Sequence, residues 1–105
     1  MNNLQVQAIL EEAMLGFFHE ISNLQATVRP KMAVKGFPCV DVSFFLKGKK
    51  LTLTFQKQNG AITPYWVAKM DYNGCKLVAT YNQKFNVFAI VITSNNNKLE
   101  YIKNL

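Results

Sequence analysis

The chain is poor in the residues that usually carry enzymatic chemistry. It has one histidine, His19, and two cysteines, Cys39 and Cys75, in 105 residues. A zinc site needs three or four converging Cys, His or carboxylate ligands. Here the helical neighbours of His19 at positions 15 and 23 are Leu15 and Asn23, so no metal and no cofactor is expected. The cysteines are too few and too far apart for a disulfide framework or a Cys-x-x-Cys site, and reduced, mostly buried thiols are expected. Only six acidic residues are present. Glu11, Glu12 and Glu20 fall in one helical segment, which leaves Asp41, Asp71 and Glu100, of which Asp41 and Asp71 are the candidate carboxylate pair of the sheet's outer face. Gly36, Gly48, Gly60 and Gly74 are isolated, so no glycine-rich phosphate loop exists. The expectation is a protein that is not an enzyme.

Other absences narrow the class further. No run of 18 apolar residues occurs, which excludes a membrane-spanning helix. The opening Met1-Asn2-Asn3-Leu4-Gln5 lacks the basic and apolar regions of a secretory signal, and a cytoplasmic protein is expected. Arginine is nearly missing: Arg29 is the single one beside eleven lysines. Bidentate reading of guanine relies mainly on arginine, so sequence-specific duplex recognition is disfavoured. Nonspecific or single-strand contact remains open.

What is present points to one α+β domain over residues 1–105. From about Leu4 to Leu24 the apolar residues Val6, Leu10, Ala13, Met14, Phe17, Ile21 and Leu24 recur at helical spacing on one stripe. Asn2 and Gln5 are spaced as a capping box, and Thr27-Val28-Arg29-Pro30 ends the helix. Beyond Pro30 the period becomes two. Val40, Val42, Phe44 and Leu46 alternate with Asp41, Ser43, Phe45 and Lys47, and similar alternation marks 51–56, 65–71 and 76–81. Residues 85–93 are apolar on both faces and predict a central strand. Residues 98–103 predict a short last strand, and 31–35 an edge strand. Gly48-Lys49 and Asn73-Gly74 read as two-residue hairpin loops. Strands joined so tightly are antiparallel. The fold expected is an N-terminal amphipathic helix packed on an antiparallel meander of five to seven strands, about 31–103, with Phe44, Phe55 and Trp66 beneath the helix.

Charge is unevenly spread. The net charge is +6 and the isoelectric point about 9.5. Residues 1–25 carry three glutamates and no basic residue, whereas 26–57 carry Arg29, Lys31, Lys35, Lys47, Lys49, Lys50 and Lys57 against Asp41 alone. Lys47, Lys49 and Lys50 crowd one hairpin tip. Like charges facing each other across paired strands repel, and a polyanionic partner relieves that repulsion. Lysines at a tip also discourage edge-to-edge aggregation, so a solubility role is the competing reading. Phe45, Tyr65, Lys69 and Lys76 share the expected outer face, where aromatics can stack bases while lysines neutralise phosphates. An ordinary solvated sheet face has the same composition.

The helix offers a second lead. Leu4, Leu15 and Phe18 lie about 120° from the core stripe, either as an exposed partner surface or covered by a curved sheet. The functional expectation is a small binding protein whose partner is nucleic acid or an acidic or nucleoprotein machine. The alternative is an inhibitor or adaptor, of the kind mobile elements encode, that binds a protein or a second copy of this chain through the helix flank.

Overall fold

The computed structural model describes residues 3–20, 31–33, 39–46, 48–59, 64–72, 74–94 and 97–105. One helix, α1 (Asn3–Glu20), precedes seven strands: β1 (Lys31–Ala33), β2 (Cys39–Leu46), β3 (Lys49–Asn59), β4 (Pro64–Tyr72), β5 (Cys75–Asn82), β6 (Val87–Ser94) and β7 (Asn97–Asn104). Hydrogen-bonded neighbours follow chain order, and each strand pairing with a described register is antiparallel. The fold is thus α+β, with six strands of eight or more residues and a three-residue β1. Ile21, Leu24 and the Thr27–Pro30 stop signal lie outside the described residues. The chain divides into two compact units, Met1–Thr54 and Phe55–Leu105.

In the first unit α1 packs on β1 and β2. The expected stripe of Val6, Leu10, Ala13, Met14 and Phe17 is buried, and so are Val40, Val42, Phe44 and Leu53. Two further helix positions are buried. Gln7 donates from Nε2 to the Asp41 carbonyl at 3.1 Å. Phe18 is only 6% exposed; its ring lies 4.8 Å from Phe17 and 5.2 Å from Phe44. The helix therefore buries a wider arc than its apolar stripe suggested, because an aromatic side chain can lean from the flank onto the strand beside it.

Strand β2 departs from simple alternation. Asp41 and Ser43, expected on an exposed face, are both buried, and Phe45 is half-buried. The Ser43 and Thr52 hydroxyls share a hydrogen bond of 3.0 Å, which puts those two side chains on one face. Along 41–44 both faces of β2 are therefore covered. The hairpin loop between β2 and β3 is residues 47–48, one residue earlier than expected, with Gly48 at φ +78°. That left-handed backbone favours glycine.

In the second unit the registers define two faces. Trp66, Tyr81 and Phe88 are direct cross-strand neighbours and are essentially fully buried. Ala68, Ala79 and Ile90 form the next row, which ends at half-buried Tyr101. Phe55 is buried on the same alternation. The opposite face carries Tyr65, Val67, Lys69 and Asp71 on β4 and Lys76, Val78, Thr80 and Asn82 on β5. The β4–β5 loop falls at 73–74 as expected, with Gly74 at φ +75°. The β5–β6 connection does not: Phe85 is not the start of a strand but lies in a turn over 83–86.

Candidate functional site

The hairpin lysines come first. Lys49 and Lys50 are both exposed where β3 leaves the loop, and strand alternation sends their side chains to opposite faces. Asp41, the acidic residue of β1–β3, is buried at 7% exposure, so it offers little surface charge against them. Its Oδ1, like Gln7 Oε1, is buried without a hydrogen-bond partner. Lys31 stands opposite Ser43 in β1. Its side chain, together with Arg29, Lys35 and Lys47, lies outside the described residues.

The remaining residues of the expected site do not share one face. Tyr65, Lys69 and Lys76 are exposed on the outer face of the second unit. Lys57 is half-buried and belongs to the other face, in the row Lys57, Trp66, Tyr81, Phe88, Lys103. The reason is parity: Lys57 is the immediate neighbour of Gln56 and Gln58, whose side chains join the outer face, so its own turns to the other. Phe45 is half-buried in the first unit. Near the 73–74 loop the outer face is mixed in sign. Asp71 is directly opposite Lys76, and Lys98 pairs with Glu100 at 2.9 Å. Exposed pairs of this kind add little stability, but they cancel local charge.

At the other end of the second unit Asn82-Gln83 is a turn signal in the sequence, but the turn runs on to Asn86, past the expected strand start at Phe85. Asn82 Oδ1 accepts hydrogen bonds from the backbone N–H of Lys84, at 3.0 Å, and Phe85, at 3.2 Å. This side-chain turn tightens the 83–86 connection. Asn86 closes it at φ +53°, a conformation asparagine tolerates better than most residues. Asn86 Oδ1 accepts from the Tyr81 hydroxyl at 2.7 Å, and its Nδ2 donates to the Leu105 carbonyl at 3.0 Å. The Leu105 N–H returns a bond of 2.9 Å to the Asn86 carbonyl. Trp66 Nε1 donates to Gln83 Oε1 at 3.3 Å. Burial pushes the Tyr81 phenol above its ordinary pKa. On this braced turn Phe85 is 65% exposed, with Lys84 Nζ 5.6 Å from its ring centroid. The sequence signal was available: Asn82 and Asn86 bracket the turn, but the apolar run from Phe85 onward masked it.

On the helix, Leu4 and Leu15 are 62% and 48% exposed. Leu15 helps line a shallow depression with Glu12, Gly16 and His19. Phe18, expected to share this flank, is core instead. His19 is exposed, Cys39 and Cys75 are half-buried, and no three potential metal ligands converge among the described residues. Among them, too, no helix is long and apolar enough to cross a membrane. Compared with protein-family models, curated proteins and solved structures, the chain matches none.

Proposed function

We propose that this chain is a non-catalytic binding protein that occupies a polyanionic surface on a macromolecular partner, through the lysine-rich β2–β3 hairpin. The observation that carries this reading is the exposure of Lys49 and Lys50 at the tip while Asp41 is buried. Such a concentration of exposed lysine charge raises both encounter rate and affinity for an anionic partner. The isoelectric point of about 9.5 agrees with it. The cytoplasm, where nucleic acid and nucleoprotein are abundant, is the compartment that fits the reading.

The test is the double change Lys49→Gln/Lys50→Gln. Titrated with nucleic acid across a salt series, the double variant should bind more weakly. The slope of log affinity against log salt should flatten by roughly 0.7 per lost contact on single strands and roughly 0.9 on duplex DNA. Equal affinity of wild type and variant at low salt, where screening is weakest, would leave the lysines a solubility role alone.

A second reading rests on the exposed Leu15 in the depression it lines with Glu12, Gly16 and His19, and on the exposed Leu4 three turns earlier on the helix. In it the helix flank docks a protein, or a second copy of this chain, as in an inhibitor or adaptor.

A further inference from the structure

We propose that the turn between β5 and β6 is a base-stacking platform for single-stranded nucleic acid, with the Phe85 ring as the platform and the Lys84 ammonium as its phosphate contact. This deepens the polyanion reading and rests on it.

Four observations converge on the turn. First, Phe85 is a large aromatic side chain left 65% exposed on a connection that is firmly braced. Asn82 Oδ1 holds the N–H groups of Lys84 and Phe85, and Asn86 is tied to Tyr81 and Leu105. The backbone that carries the ring is thus ordered before any partner arrives, which lowers the entropic cost of binding. Second, the cation is already in place. Lys84 Nζ stands 5.6 Å from the ring centroid, within the range of a cation–π contact. A base laid on the ring brings its phosphate within reach of the lysine stem.

Third, a second exposed aromatic stands at this end of the ladder. Tyr65 is directly opposite Asn82 in the β4–β5 ladder and is 37% exposed. It offers a further ring for a single strand, and stacking tolerates any base because each has a π-face. Fourth, charge is segregated within the second unit. Its acidic residues, Asp71 and Glu100, lie in the rows near the 73–74 loop. The rows that lead to the 83–86 turn contain Lys57 and Lys103 and no acidic side chain. Lysine and exposed aromatics without arginine suit a single strand, since guanine reading in a duplex groove draws on arginine. Leu105 adds an exposed aliphatic side chain at this end. A protein partner would use it with Phe85 and would have no need of bases.

The experiment compares two polyanions on the full chain: a fluorescently labelled oligo-dT and inorganic polyphosphate, which has charge but no bases. Three variants are used: Phe85→Ala and Lys49→Gln/Lys50→Gln, each checked for unchanged Trp66 emission, and Phe85→Trp, checked for an unchanged urea midpoint. Phe85→Ala should weaken oligo-dT binding roughly tenfold, the value of one base–aromatic stack, and leave polyphosphate binding unchanged. Phe85→Trp should retain affinity, and oligo-dT but not polyphosphate should quench the new indole. Wild-type oligo-dT affinity in Phe85→Ala overturns the platform. The polyanion reading then survives if the lysine variant is still weakened. Equal loss of both polyanions in Phe85→Ala also overturns it, because the ring would then serve the turn rather than a base. Failure of the wild type to bind either polyanion at low salt refutes both proposals and favours a protein partner.

Discussion

Asn86 should be a polar residue of the second unit that is costly to replace by alanine. It does three things at once: it holds a left-handed backbone at φ +53°, accepts from the Tyr81 hydroxyl at 2.7 Å and donates to the Leu105 carbonyl at 3.0 Å. Asn86→Ala removes both side-chain bonds and leaves a Cβ in a region where alanine is strained. The left-handed backbone costs a non-glycine residue about 1–2 kcal/mol, and asparagine already bears part of it, so the strain added by alanine is about 1 kcal/mol. Orphaning a hydroxyl on a buried tyrosine costs about 1–3 kcal/mol, and the lower end applies because that bond is only part-buried. The exposed Leu105 bond adds a few tenths. The total is about 2 kcal/mol, a large share of an ordinary domain's stability. Asn86→Gly removes the same bonds without the strain and should recover about 1 kcal/mol of it. The assay is urea unfolding followed by Trp66 emission, since Trp66 is buried and its indole N–H is bonded to Gln83 in the same turn. The expected order of midpoints is wild type, then Asn86→Gly, then Asn86→Ala. A double-mutant cycle of Asn86→Gly with Tyr81→Phe should show a coupling of about 1 kcal/mol. Midpoints for Asn86→Ala at or above those of Asn86→Gly, or both within 0.5 kcal/mol of wild type on the ~1 kcal/mol scale of such effects, would refute the account.

Tyr81 gives a pH dependence with a defined sign. Its folded-state pKa is raised by burial above the ordinary 10.0, so the folded protein holds the phenolic proton longer than the unfolded chain does. Stability from this group is complete below pH 10 and falls as pH rises through the raised value. Alkaline unfolding curves should show that fall in wild type and lose it in Tyr81→Phe. The helix flank separates into core and surface: Phe18→Ala should cost about 3 kcal/mol or more, as aromatic truncations in a core do. Leu15→Glu, at a position 48% exposed, should stay folded within about 0.5 kcal/mol. If that variant unfolds, as judged by thermal melts, the exposed flank was misread. If it folds and loses a protein partner in a binding assay, the second functional reading gains support.

The sequence by itself determined the class of the fold. Helical spacing from Val6 to Phe17 and alternation from Tyr65 to Tyr81 follow from backbone geometry that repeats every 3.6 or 2 residues, and Asn73-Gly74 marked a hairpin because few residues accept its backbone. These are local constraints, so they can be read locally. Burial is not local. Asp41 and Ser43 alternate like solvent-facing residues yet are covered, which the alternation of a strand cannot show, because cover on a face comes from elsewhere in the chain. Phe18 sits off the apolar stripe yet reaches Phe44, because that strand passes beside it. The candidate site divides in the same way. The lysine cluster at 47–50 was legible as charge density along the chain. Lys57 counted only as charge along the chain, and the strand register sets it in the row of Trp66. Asn82-Gln83 is a turn signal in the sequence, but the extension of that turn to Asn86 was hidden because Phe85, Val87 and Phe88 look like one apolar run. What sets Phe85 outside that run is a set of contacts made elsewhere: Tyr81 needs an acceptor for its buried hydroxyl, Asn86 supplies it from a left-handed turn, and Leu105 closes the backbone behind it. A hydrogen-bonding demand that arises only when the tyrosine is buried therefore decides where β6 begins and leaves the phenylalanine ring in solvent.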